Sequence, residues 1–169
     1  MNGSNSPATE TSVLFVCLGN ICRSPLAEGV FRHLVESEGL EGRFHIDSAG
    51  TGAWHVGEPP DPRSTAVARD HGIVVDGQAR RVEPDDLDRF DVVVAMDREN
   101  LRSLERMAAA LGSGARLALL RDFDPDADGD EVPDPYYGGS RGFENVYRMI
   151  DAACRGLLDD LRDPDAPAP

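Results

Sequence analysis

At 169 residues the chain fits one domain, large enough to close a core without disulfides. Its three cysteines, an odd number with two only five positions apart, do not suit a secreted disulfide framework. The formal net charge of −14 argues against nucleic acid or an anionic membrane as a partner, because both are bound through clustered cations; a small anionic substrate stays open, since a pocket can be locally positive under physiological screening.

Residues 1–12 carry neither a basic start nor an apolar run, and no stretch reaches membrane-spanning length, so a soluble cytoplasmic protein is expected. These residues and 162–169 are polar and read as disordered tails around one domain at 13–161. Val13-Leu14-Phe15-Val16 predicts a short strand, and from Pro25 onward Leu26, Val30, Phe31 and Leu34 share one helical face. Phe44-His45-Ile46 predicts a second strand ahead of Asp47-Ser48-Ala49-Gly50, and Asp61-Pro62 opens a helix that Gly72 closes. Val92 to Met96 reads as a buried strand, followed by a helix that turns Leu101, Leu104, Met107 and Leu111 to the core. Leu117 to Leu120 predicts the last strand, and Phe143, Val146, Ile150, Ala153, Leu157 and Leu161 mark a closing helix at three-and-four spacing.

Strands alternating with helices predict an α/β domain: a four-stranded parallel sheet with helices on both faces. Ligands in such folds sit beyond the carboxyl ends of the strands, which directs attention to the loops after Val16, Ile46, Met96 and Leu120. The first of these is Cys17-Leu18-Gly19-Asn20-Ile21-Cys22-Arg23-Ser24-Pro25, a C-x5-R-S run between a strand and a helix, with Pro25 expected at the first helical position. A loop of this length at a helix N-terminus can aim successive N–H groups at one phosphate, and Gly19 permits the backbone angles needed. The same field favours a nucleophilic thiolate at Cys17, and Arg23 offers paired planar donors to two phosphoryl oxygens.

Taken together, Val13 to Glu28, Asp47-Ser48-Ala49-Gly50-Thr51, His71-Gly72-Ile73, Met96-Asp97 and Asp134-Pro135-Tyr136-Tyr137-Gly138 resemble the low-molecular-weight protein-tyrosine phosphatases over nearly the whole chain. The resemblance implies a flavodoxin-like sheet of order 2-1-3-4 and metal-independent, cofactor-free hydrolysis of phosphotyrosine in proteins or peptides, with inorganic phosphate as product. It implies Cys17 as nucleophile, Arg23 as phosphate clamp and Asp134 as general acid, with Leu18, Gly19, Asn20, Ile21, Cys22 and Ser24 forming the phosphate loop. Tyr136 and Tyr137 correspond to an aromatic wall, Leu18 and Trp54 to the rest of the rim, deep enough that phosphoserine would fall short of the thiolate. Asn20, Ser24, Ser48 and His71 correspond to a polar network bracing the loop, and Ser24 also donates to the Cys17 sulfur. Cys22 corresponds to a redox partner of Cys17.

Three rivals share these features: arsenate reduction, phosphoarginine hydrolysis and noncatalytic phosphopeptide binding. Arsenate reduction needs further cysteines to relay a disulfide, and residues 24–153 hold none. The phosphoarginine branch carries threonine where this chain has Ile21, and every catalytic position is filled, which disfavours a mere binding module. Asp124-Pro125-Asp126-Ala127-Asp128-Gly129 opens like a calcium loop, but its twelfth position is Pro135 and not a bidentate glutamate, so no metal site is expected. Cys154 falls on the apolar stripe of the last helix and is expected in the core.

Overall fold

The computed structural model describes residues 10–136 and 140–162. Its sheet contains β1 (Thr11–Cys17), β2 (Phe44–Gly50), β3 (Val92–Ala95) and β4 (Arg116–Leu119), all parallel in the order β2-β1-β3-β4. The helices are α1 (Arg23–Ser37), α2 (Pro62–Asp70), α3 (Asp86–Arg89), α4 (Arg98–Leu111) and α5 (Ser140–Arg162).

The two-residue alternation of β1 divides the core. Val13 and Phe15 face α1 and α5, where Phe31 meets Phe15 and Phe44 edge-on at centroid distances of 5.6 and 5.5 Å. Leu14 and Val16 face the other side, with Val93, Leu87 and Leu104. Each fully buried side chain of this size contributes about 1.5–3 kcal/mol, so the central strand is fixed from both faces. Cys17 follows the parity of Val13 and Phe15, and ends β1 buried on the α1 side.

Several boundaries differ from the sequence reading for identifiable reasons. β1 begins at Thr11, two residues ahead of the apolar run, because Thr11 and Ser12 pair with Phe44 and His45 and Ser12 is bonded to Asp91. β2 continues through Asp47-Ser48-Ala49-Gly50, as each of these residues has a β1 partner. Pro25 is the third residue of α1 and not the first; it is tolerated there because first-turn N–H groups have no partner within the helix. Leu111 does not reach the core and is exposed: it is the final residue of α4, which ends at Gly112 in a left-handed cap, and the packed face stops at Met107 and Ala108. The four-residue α3 is too short for periodicity to reveal. Most of both tails, residues 1–9 and 163–169, and Tyr137 lie outside the described residues. Among the described residues no helix is long and apolar enough to cross a membrane.

Candidate active site

Between the end of β1 and the start of α1 the chain turns through residues 18–22 around the Cys17 sulfur. Asn20 stands in the left-handed region at φ 57°, which asparagine tolerates better than most residues, and its N–H is directed at Cys17 Sγ, 3.3 Å away. Ser24 Oγ lies 3.0 Å from the same sulfur. The loop rests on the end of β2, where Thr51 and Gly52 donate N–H bonds to the carbonyls of Cys17 and Leu18. Gly50 permits this approach: a Cβ there would stand 2.7 Å from the Leu18 carbonyl oxygen.

A polar network fills the back of the loop. The Asn20 amide donates to Ser24 Oγ at 2.8 Å and to Ser48 Oγ at 3.0 Å, and Ser48 passes its own hydrogen to Glu28 at 2.7 Å. The Arg80 N–H donates to Asn20 Oδ1 at 2.9 Å. From the α2 side, Asp61 N–H donates to the Ile21 carbonyl and Ser64 Oγ to the Cys22 carbonyl. His71, expected in this network, is elsewhere: its ring stacks on Tyr147 at 3.9 Å and its Nε2 meets Glu144 at 3.1 Å, so it ties the end of α2 to α5. Its place at a helix end was legible, whereas its partners are set by how α5 crosses α2.

Arg23 is buried at the first position of α1. Its Nη1 donates to Asp97 Oδ2 at 2.7 Å and to the Val132 carbonyl at 3.0 Å, while Nη2 lies 3.7 Å from Asp134 Oδ2. Burial opposes the guanidinium charge, but the neighbouring Cys17 and the bond to Asp97 outweigh it and hold Arg23 above the ordinary arginine range. Asp97 serves two elements at once, since its other oxygen caps α4 by accepting from Asn100 N–H at 2.8 Å. The sequence reading includes Met96-Asp97 only as part of the family resemblance; the reach of Asp97 to Arg23 is set by how the start of α4 packs against α1.

Cys17, Ile21, Cys22 and Arg23 border a cavity of about 420 Å³ whose mouth carries Leu18, Trp54, His55, Asp134 and Tyr136. Trp54 is 74% exposed and Tyr136 36%, so both rings present apolar faces at the rim. The acid-bearing segment is anchored by Val132, which is fully buried and donates its N–H to the Met96 carbonyl. Asp134 then turns outward, and its Oδ1 accepts the Tyr136 N–H at 2.9 Å. His55, absent from the sequence reading, pairs with Glu58 and lies against Gly19 and near the Tyr136 ring. Cys22 differs sharply from an ordinary thiol: burial, with Asp61, Cys17 and Asp134 adding to it, pushes it up to about 12. In the acidic loop, Asp128 is turned to the Arg121 guanidinium at 2.7 Å. Such an arrangement, a sulfur at the floor, a buried fixed guanidinium beside it and a carboxyl at the mouth, is suited to a small tetrahedral anion carrying a flat apolar group.

The family model described as low molecular weight phosphotyrosine protein phosphatase matches residues 12–166. A Streptomyces coelicolor low molecular weight protein-tyrosine-phosphatase is 52% identical over 153 residues, covering 89% of this chain and 93% of that protein. The crystal structure of YfkJ from Bacillus subtilis superposes with a TM-score of 0.88 at 44% identity, over 95% of this chain and all of that one. A Drosophila arginine phosphatase structure matches with a TM-score of 0.86 at 35% identity, over 90% of this chain and 99% of that one. With the family model spanning nearly the whole domain and relatives this close, the chain belongs to the low molecular weight phosphotyrosine protein phosphatase family.

Proposed function

We propose that this protein is a cytoplasmic phosphatase that hydrolyses phosphotyrosine in proteins or peptides through a phosphocysteine intermediate, without metal or cofactor, and releases inorganic phosphate. The observation that carries this reading is the alignment of Cys17 Sγ, the Asp97-held Arg23 and Asp134 around one cavity beneath an aromatic rim.

In the first step the Cys17 thiolate attacks phosphorus while the bond to the tyrosine oxygen breaks. Asp134, entering protonated, gives its proton to that leaving oxygen. Arg23 and the N–H groups of the loop take the charge that accumulates on the phosphoryl oxygens. In the second step Asp134, now a carboxylate, removes a proton from water as the water oxygen attacks phosphorus, and the sulfur–phosphorus bond breaks. Ser24 donates to the departing sulfur, which lowers the barrier to its expulsion. Tyr136, Leu18 and Trp54 grip the phenyl ring at a depth that a short serine side chain does not span. Cys22 is proposed as a resolving thiol that closes a disulfide with oxidised Cys17.

Arsenate reduction is disfavoured because Cys154, the remaining cysteine, is fully buried and offers no exit for a disulfide relay. Phosphoarginine remains the sharper competitor on account of the Drosophila neighbour. Steady-state kinetics on phosphotyrosine, phosphoserine and phosphoarginine peptides and on arsenate with a thiol reductant test the reading. Phosphotyrosine is expected to lead in kcat/KM by at least about tenfold, roughly 1.4 kcal/mol in transition-state energy. A preference for phosphoarginine or turnover of arsenate would replace it, and Cys17→Ser is expected to bind phosphate analogues without turnover.

A further inference from the structure

We infer that Arg80 is a positioning residue for this reaction: its main-chain N–H sets the sense of the Asn20 amide, and that sense directs the Ser24 hydroxyl hydrogen at the Cys17 sulfur. The inference rests on the phosphocysteine reading above for its consequence and on hydrogen-bond polarity for its derivation.

A backbone N–H can only donate, so the Asn20 atom facing Arg80 N at 2.9 Å is the amide oxygen. The amide nitrogen then faces the other way, and it donates to both Ser24 Oγ and Ser48 Oγ. Each hydroxyl, having accepted, must send its own hydrogen elsewhere. Ser48 has the Glu28 carboxylate at 2.7 Å. Ser24 has the Cys17 sulfur at 3.0 Å and the more distant Ala49 carbonyl at 3.4 Å. A thiolate accepts and cannot donate, so the Ser24 hydrogen belongs on it. Were the Asn20 amide reversed, its oxygen would compete for that same hydrogen, and of its two donors the sulfur would keep only the Asn20 N–H at 3.3 Å.

The Arg80 side chain holds the main chain that makes this selection. Its guanidinium bonds both oxygens of Asp86 at 2.9 and 3.1 Å, and it pairs with Asp47 on β2 at 3.0 Å. Asp86 is buried and also accepts the Glu83 N–H at 2.7 Å, so the turn after Arg80 is tied back on itself. On the other side Gly50 donates to the Arg80 carbonyl and accepts from Val82 N–H, beneath the nucleophile loop. A lysine's single ammonium would not span both carboxylates in this planar geometry.

The test measures two quantities that mere destabilisation would not move together: the rate at which iodoacetate alkylates Cys17 at fixed pH, and the rate of phosphoenzyme breakdown after a nitrophenyl phosphate burst. Arg80→Met is expected to slow each by about tenfold, the loss of one hydrogen bond to a charged group. Arg80→Lys, which spares Asp86 an unpaired buried charge, is expected to fall between it and the wild type. In a Ser24→Ala background, Arg80→Met is expected to add less than about twofold, because the path it acts through is gone. Rates within about twofold of wild type for folded Arg80→Met and Arg80→Lys, or the same slowing with and without Ser24, would overturn the inference. Because alkylation needs no substrate, its outcome stands apart from the phosphotyrosine reading. The phosphocysteine reading fails separately if acid quench of the wild type during turnover traps no phosphate on Cys17.

Discussion

Arg23 is a buried cation whose orientation is set from outside the cavity, by Asp97 and the Val132 carbonyl on Nη1. Removing Asp97 therefore acts on catalysis at a distance. Asp97→Ala is expected to lower kcat/KM by about 10–100-fold, the range of one hydrogen bond to a charged group, and Arg23→Lys by about 100–1,000-fold, both read by steady-state kinetics. For Asp134 the sign depends on the leaving group. A tyrosine-like phenol, with a pKa of about 10, needs the proton far more than an activated nitrophenol does, so Asp134→Ala is expected to slow the first by about 100–10,000-fold and the second much less. Equal slowing would remove Asp134 as the acid. Cys22, pushed up to about 12, remains a thiol near neutrality. Peroxide converts the Cys17 thiolate to a sulfenic acid with loss of hydroxide, and Cys22 must then give up its proton as its sulfur displaces water. Disulfide closure is thus expected to quicken as pH rises, and dithiothreitol to restore oxidised wild type more fully than Cys22→Ser. Mass spectrometry of the crosslinked peptide, and equal recovery of the two proteins as the contrary outcome, decide it.

At the scale of elements, two glycines carry opposite kinds of constraint. In α5, Gly156 lets the helix lie against the turn at Leu120–Phe123; a Cβ there would stand 1.8 Å from the Phe123 carbonyl oxygen. Neither residue borders the cavity. Gly156→Ala is expected to cost stability, about 1–3 kcal/mol as overpacking, with kcat of the folded protein unchanged; denaturant unfolding and active-site-titrated kinetics separate the two. Gly50 sits instead under the nucleophile loop, and its alanine would press on Leu18. There the loss is expected mainly in kcat, because the added Cβ would press on Leu18, Gly19 and Asn20, the residues that shape the nucleophile loop.

For the whole molecule, the net charge of −14 is compatible with an anion site because the Arg23 guanidinium borders the cavity, while distant carboxylates are screened. Such a site links ligand to stability. At a hundredfold excess over Kd, a phosphate analogue stabilises by about 2.7 kcal/mol, worth about 2–4 °C of Tm per kcal/mol in a domain of this size. That rise is expected in wild type and absent in Arg23→Met, by thermal unfolding with and without the analogue, and a chelator is expected to change neither the Tm nor turnover.

Hydrophobic period and helix-start chemistry are local signals, so the alternation of strands and helices, the parallel sheet and the strand-loop-helix around Cys17 are legible in the chain. The buried place of Cys154 is legible too, since it follows from three-and-four spacing. Which distant side chains meet depends instead on how the elements pack. Asp97 is 74 positions from Arg23, and Arg80 is 60 from Asn20. His71 went to Glu144 and Tyr147, and Leu111 turned to solvent, because helix crossing and helix length fix those neighbours and leave no period in the chain. Hydrogen-bond polarity belongs to the same class: whether Asn20 donates or accepts toward Ser24 depends on a backbone N–H brought up from another segment, and no reading of the loop residues in isolation contains it.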